Sequence, residues 1–339
     1  MSQATAFWTD PAYYRNLLAL KQTSYGVQPV RFTERQLAHF SSNEAYRLRS
    51  QCPAGICLVL QTDAEWLELD VMVEGTVRDY AQAMAAVNGR WTSLQTCEPL
   101  GALPRSATFR FLLPPTGEAG ESNKVEIYLS QFSRLSVAGV RLSPGASVAP
   151  ASERSSRRLL SLGDSITQGF DSRNPAGAYP VRLARLLDAE LLNQGVGQHD
   201  FDPDSFDPAL PYEPDLITVA YGVNDWAKDR SSEEIAADAG ALLTKIATRY
   251  DGVPILVITP IWAHHQDERK AAGTLSDVRR TIADAVASAD GAGGHVHVVD
   301  GTGLVPGSPY LFADGVHPTE EGFGHYAVEL HRHAKRFFS

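Results

Sequence analysis

The sequence predicts two domains of different class: an antiparallel β-sandwich over residues 1–150, and an α/β domain with a three-layer parallel sheet over residues 151–339. Three observations carry this reading. The first half is built of short period-two runs separated by turn residues, and the second alternates apolar runs with helical segments. Between them lies a stretch of small, turn-favouring residues. With 339 residues, 43% of them apolar and 21% charged, the chain can bury a sizeable core and has the length of about two domains.

In the first half, residues 65–74 place Leu67, Leu69, Val71 and Val73 on one face and Glu68, Asp70 and Glu74 on the other, the pattern of a half-buried strand. Residues 124–129 repeat it, and further strands are expected at 56–61, 108–113 and 135–142. Asn88-Gly89 stands between 85–87 and 90–92 and predicts a two-residue hairpin, because both turn positions require positive φ. Residues 143–156, rich in Ser, Ala, Pro and Gly, hold the expected domain boundary. Beyond it, strands are expected at 159–162, 191–192, 216–221, 255–259 and 296–299, alternating with helices near 177–189, 232–250, 268–289 and 319–337. Such alternation implies a parallel sheet covered on both faces, with ligands bound beyond the carboxyl ends of its strands.

Charge is distributed unevenly. Residues 1–150 carry 13 basic and 13 acidic side chains, and residues 151–339 carry 17 and 27, so the whole formal charge of −10 belongs to the second half. A surface of that sign repels phosphate backbones and anionic headgroups, and neither nucleic acid nor a membrane is an expected partner. The three cysteines, Cys52, Cys57 and Cys97, cannot close a disulfide framework and read as ordinary semi-buried thiols. The first ten residues have no basic segment followed by an apolar one, so a cytoplasmic location is the expectation.

Chemistry is to be sought at the strand ends. There the sequence places Gly163-Asp-Ser-Ile-Thr-Gln-Gly169 after the first, Asn193-Gln-Gly-Val-Gly197 after the second and Gly222-Val-Asn-Asp225 after the third, with Asp314-Gly-Val-His-Pro318 near the end. Ser165 sits where a strand turns into a helix and its hydroxyl can enter a cleft. A serine needs a neighbouring base, and an imidazole oriented by a carboxylate is the usual partner. Asp314 and His317 are close enough in sequence for one turn to carry both, just before a helix whose acidic first turn suits the helix dipole. The alternative serine-hydrolase signature Gly-x-Ser-x-Gly is absent from the sequence.

In order and spacing, the four blocks resemble those of the SGNH hydrolases, the GDSL esterase and lipase family, over roughly residues 157–337. The resemblance implies Ser165 as nucleophile, His317 as general base and then acid, and Asp314 as the residue that fixes the imidazole tautomer. It also implies an oxyanion hole made of the backbone N–H groups of Ser165 and Gly195 and the side-chain amide of Asn224. Glycine at 195 would let the backbone approach the substrate, and asparagine at 224 would donate without carrying charge. No cofactor and no metal are required.

Neighbouring residues have plainer readings. Asp164 is expected to bond within its turn, Asp225 to be a loop or cap residue and Asn193 a turn or site residue. The pairs His264/His265, His295/His297 and His331/His333 read as surface or packed histidines rather than ligands. Trp226 and Trp262 follow strand ends and are candidates for lining the cleft, where an aromatic face could stack on a sugar or an acyl chain. His199 and the run Asp200, Asp202, Asp204, Asp207, Glu213 and Asp215 are expected on the same rim, disfavouring anionic substrates.

A sandwich ahead of such a domain resembles the architecture of carbohydrate esterases of the family two type. The expectation is therefore an esterase acting on short acyl esters, O-acetyl groups on carbohydrate foremost. The alternatives are a broader lysophospholipase, thioesterase or arylesterase, and, from another class, an inactive carbohydrate-binding protein. The sequence does not indicate an oligomeric state.

Overall fold

A computed structural model describes residues 6–116, 121–151, 155–289 and 294–337. The chain divides into two compact units, Met1–Arg31 with Gln51–Arg154 and Asn174–Ala176 in the first, and Phe32–Ser50 with Ser155–Arg173 and Gly177–Ser339 in the second.

The first unit is the expected antiparallel sandwich. One sheet runs in the order Tyr14–Arg15, Cys57–Thr62, Asn123–Leu129, Ala81–Val87 and Arg90–Cys97, with Val148–Pro150 added beside Cys57–Thr62. The other runs in the order Ala19–Thr23, Gly26–Val30, Ser133–Leu142, Trp66–Thr76 and Arg105–Leu112. Leu67, Leu69, Val71 and Val73 lie in the shared core with Leu58, Leu60, Val125 and Ile127. Each such side chain contributes roughly 1.5–3 kcal/mol by leaving water. Asn88 and Gly89 both take positive φ, 50° and 77°, as the hairpin between Ala81–Val87 and Arg90–Cys97 requires. Cys52 and Cys57 are buried thiols, and Cys97 is partly exposed. Within the expected boundary, 148–150 pair as a strand instead of forming a loop, and 152–154 lie outside the described residues.

The second unit is the expected α/β domain. Its parallel sheet has the order Ala189–Gly195, Arg157–Gly163, Leu216–Ala220, Ile255–Ile258 and Val296–Val299. The sequence-first strand thus lies second, and the strand order reverses beside it. Such a switch point opens a crevice at the carboxyl ends of the flanking strands. The helices after the sandwich are α3 (Ser165–Gln168), α4 (Tyr179–Leu186), α5 (Val223–Ala227), α6 (Ser232–Arg249), α7 (Leu275–Ala289) and α8 (Glu320–Ala334).

One segment departs from the expected division at residue 150. Helices α1 (Glu34–Phe40) and α2 (Glu44–Ser50) belong to the second unit although the sandwich flanks them in sequence. Their partners explain this. Phe32 and Phe40 pack on Val196. The Gln36 and Gln194 amides exchange two hydrogen bonds of 3.0 and 3.1 Å, and the Thr33 hydroxyl donates to Asp207. Thr33 and Gln36 also close a capping box that starts α1. Among the described residues, no helix is long and apolar enough to cross a membrane.

Candidate active site

Ser165 is the first residue of α3, directly beyond the strand Arg157–Gly163, and Asp164 caps that helix by accepting the N–H of Ile166 at 2.9 Å. The Ser165 hydroxyl oxygen lies 2.7 Å from Nε2 of His317, whose Nδ1 lies 2.7 Å from Oδ2 of Asp314. The other Asp314 oxygen accepts the backbone N–H groups of Val316 and His317, so one tight turn fixes both residues. Thr319 then caps α8, with Glu320 and Glu321 in its acidic first turn. Burial pushes the Asp314 carboxyl up, but the bonds from His317 and the attraction of its ring outweigh this and hold it well below the usual carboxylate range. A second carboxylate, Asp171, lies 3.5 Å from the same Nδ1, and the Phe170 ring tilts against the imidazole. Sequence patterning gave no signal for Asp171. Chemically, the arrangement can deprotonate the serine and stabilise the resulting imidazolium.

The anion-stabilising groups differ in part from expectation. No acceptor engages the Ser165 N–H among the described residues. Asn224, on α5, directs its side-chain amide at the His199 carbonyl, 2.9 Å away, with a longer approach of 3.4 Å to Asp164. The Gly195 N–H is not available to a substrate, because it donates to Asn193 at 2.8 Å. Glycine is required there for packing: a Cβ would lie 2.4 Å from the backbone nitrogen of Gln168. Asn193 in turn donates to the Thr167 carbonyl and so locks this strand end under α3. Val196, Gly197 and His199 also donate their N–H groups internally. Gln198 is the exception, an exposed residue at φ 67° whose N–H has no acceptor among the described residues.

Two buried carboxyls lie close by. Burial raises Asp164 to about 7 in spite of the Ile166 bond and the charge of His317. Burial and the nearby Asp200 raise Asp225 to about 6, although Arg230 pairs with it at 2.7 Å. Asp225 is therefore a buried ion-pair residue that also accepts the Phe201 N–H, not the loop or cap residue expected.

The two tryptophans part company. Trp262 lines a narrow apolar crevice with Asp164, Ile166, Tyr221, Pro260 and Val316. Trp226 is buried on α5, with its indole N–H donated to Gly273 and Lys270 over its ring, and does not line that crevice. The acidic run does not form an open negative rim. Asp200 pairs with Lys228, Asp202 with His39, Asp204 with Lys245, Asp207 with Arg35 and Glu213 with Arg249, while Asp215 accepts the Arg158 N–H. Lys228, Lys245, Arg35 and Arg249 thus offset four of the six charges locally, and the run is not an uncompensated negative rim. His199 is buried, not on a rim.

Helix α2 adds residues that sequence reasoning missed. Arg49 donates to the Gly197 carbonyl and to the Gln198 side chain, and Tyr46 donates to the Gln198 carbonyl while accepting from Lys228. The available signal was Thr33-x-x-Gln36, which marks a helix start but not the unit to which the helix belongs. Of the three histidine pairs, His264 reaches the catalytic turn, donating its backbone N–H to the Gly315 carbonyl at 2.8 Å with its ring edge-on to Trp262, whereas His265 pairs with Glu268, His297 stacks on Phe337, and His331 and His333 lie in the last turn of α8.

Comparison with known proteins bears on the family and the fold. Residues 161–324 match the GDSL-like Lipase/Acylhydrolase family. A salicylyl-acyltransferase from a tetracycline biosynthetic pathway shares the fold with a TM-score of 0.82 at 20% identity, over 97% of this chain and 95% of that one. A family two carbohydrate esterase from Clostridium thermocellum gives a TM-score of 0.66 at 15% identity, over 84% and 93%. An acetyl xylan esterase from the rumen bacterium Butyrivibrio proteoclasticus gives 0.61 at 16% identity, over 83% and 90%. No curated protein matches the sequence. The strand-end blocks, the switch-point sheet that carries them and the family match together establish residues 161–324 as a GDSL-like lipase/acylhydrolase domain.

Proposed function

We propose that the protein is a serine esterase that removes short acyl groups, acetyl foremost, from a hydroxylated substrate such as a carbohydrate. The observation that carries this is the unbroken line Asp314–His317–Ser165, with 2.7 Å at each link. Ser165 Oγ attacks the acyl carbonyl as its proton passes to Nε2 of His317. The tetrahedral intermediate collapses when that proton moves to the leaving alkoxide, giving an acyl-serine and the free alcohol. Water, deprotonated by the same imidazole, then releases the carboxylic acid. The oxyanion is met by the Ser165 N–H and by the Asn224 amide hydrogen that is not given to His199 and makes only the long 3.4 Å approach to Asp164, with the Gln198 N–H as the third donor in place of Gly195. Each such donor is worth on the order of 3 kcal/mol.

The crevice beside Ile166 and Val316, which flank the nucleophile and the base in sequence, is narrow and apolar and suits a small acyl group. Fold likeness to family two carbohydrate esterases and an acetyl xylan esterase supports carbohydrate as the alcohol component. The test is hydrolysis of p-nitrophenyl esters from acetyl to palmitoyl, followed by acetate release from acetylated xylo-oligosaccharides, with Ser165→Ala as control. The expected result is greatest turnover with acetyl and its loss in Ser165→Ala. Activity surviving in that variant refutes the mechanism, and a maximum at long acyl chains refutes the substrate class. Preferential formation of a new ester when alcohols are added would identify an acyltransferase instead.

A further inference from the structure

A second cluster of chemistry-bearing side chains lies on the same unit, away from the nucleophile. His39, in the last turn of α1, His199 and Asp202 bring one donor atom each to within 4.8 Å of one another. Nε2 of His39 is 2.7 Å, and Nε2 of His199 3.7 Å, from the same oxygen, Oδ2 of Asp202. Donors on a tetrahedral zinc ion with bonds near 2.0–2.1 Å stand about 3.3 Å apart. The two spacings to Asp202 bracket that value and the two imidazoles lie within 4.8 Å of each other, so side-chain movement without a change of backbone could bring the three donors onto one ion.

A hydrogen-bonded ion pair with Asp202 accounts for His39 at 2.7 Å, whereas His199, at 3.7 Å, stands beyond hydrogen-bond reach of the same oxygen. Its side chain is 1% exposed, and neither ring nitrogen has a hydrogen-bond partner. The ring is held edge to face by Phe40, Tyr46 and Tyr221, at centroid distances of 5.2, 5.2 and 5.6 Å. Leaving a buried imidazole unsatisfied costs about 1–3 kcal/mol, and a cation at Nε2 removes that cost for one nitrogen. Asp202 is oriented from its other side, where Oδ1 accepts the Asp204 N–H, the kind of support that metal-binding carboxylates receive. His39 and Asp202 are each about 30% exposed, which leaves a route for the ion and a place for water as fourth ligand.

We propose that His39, His199 and Asp202 bind a divalent transition-metal ion, zinc being the reference case, as a structural site. Two imidazoles and one carboxylate favour such an ion over calcium or magnesium. The His199 carbonyl accepts the Asn224 amide at 2.9 Å, so an ion on the His199 ring would tie α1 to the loop that positions that amide. The site is independent of the esterase reading, because binding is measured without any ester.

The experiment titrates chelator-stripped full-length protein with Zn²⁺ by calorimetry, and with Co²⁺ by visible absorption. One equivalent is expected, with the intense d–d bands of four-coordinate cobalt and a Tm that rises with zinc concentration. His39→Gln and Asp202→Asn should each weaken binding by at least the roughly 10–100-fold that loss of a supporting residue costs. His317→Ala should leave it unchanged, which separates this cluster from Asp171, Asp314 and His317. No bound zinc, binding unaltered in both ligand variants, or binding lost in His317→Ala would each overturn the proposal. If a ligand variant fails to fold, the cobalt spectrum of the unmodified protein decides, since an absent or six-coordinate signature overturns it equally.

Discussion

Replacing Asp314 tests whether one carboxylate or two support the imidazole. Asp314 stands 2.7 Å and Asp171 3.5 Å from Nδ1 of His317, with side chains 50% and 21% exposed. Unit charges 3.5 Å apart attract by roughly 1 kcal/mol at the dielectric constant of water and roughly 5 kcal/mol at about 20. For a partly wet pair an intermediate value of about 2 kcal/mol applies, equivalent to roughly 30-fold in rate. Losing the orienting aspartate from a buried triad costs on the order of 10⁴-fold, a value known from a serine protease. With Asp171 retained, Asp314→Ala should lose only on the order of 300-fold. Adding Asp171→Asn should then bring the loss to the order of 10⁴-fold. Asp314→Asn should be worse than Asp314→Ala, because an amide N–H facing Nδ1 selects the wrong tautomer. The assay is kcat/KM on p-nitrophenyl acetate where the imidazole is neutral, with active-site titration to count competent enzyme. If Asp171→Asn has no further effect in the Asp314→Ala background, the two-carboxylate argument is wrong.

Asn224→Ala should lower kcat by roughly 100–1,000-fold with little change in KM, since the amide acts on the developing oxyanion; a change confined to KM would count against it. Asp164 should shape the pH dependence of stability. Burial raises its carboxyl from 3.8 to about 7, so the folded state holds the proton more tightly than the unfolded chain does. Its contribution is complete below about pH 4 and is lost as pH rises through about 7. Asp164→Asn should remove part of that decline, a few kcal/mol at most, leaving the share due to Asp225; an unchanged slope in chemical denaturation would contradict the assignment. Gln36→Leu and Gln194→Leu should each cost about 1–3 kcal/mol, because each leaves the opposite amide short of bonds, and the double variant should cost less than their sum. Strict additivity in urea unfolding would show that the two amides are not coupled.

Much of this was legible in the sequence where structure is local. Leu67, Leu69, Val71 and Val73 announced their strand by alternation, and Asn88-Gly89 its hairpin by backbone preference. Ser165, Asp314 and His317 could be picked out because strand ends and one short turn hold them. What escaped depends on long-range partners. Nothing near Gln36 in the sequence reveals Gln194, and nothing near Gly195 reveals that its N–H turns toward Asn193. Trp226 and Trp262 both follow strands, but α5 carries the first into the interior. The acidic run looked like a field because its counter-charges, among them Lys228, Lys245 and Arg249, lie 28, 41 and 36 residues away along the chain.

The excursion of α1 and α2 into the second unit also sets an order of events during synthesis. Gln36 leaves the ribosome 158 residues before Gln194, its amide partner. At about 5–20 residues per second that interval is roughly 8–30 s, during which Phe32, Phe40 and the Gln36 amide wait without the surface they cover. A chaperone that shields apolar segments of nascent chains should therefore engage residues 32–50 longer than the flanking strands of the sandwich. A fragment beginning after residue 150 would be made with that surface permanently bare, so it should aggregate more readily than the full chain.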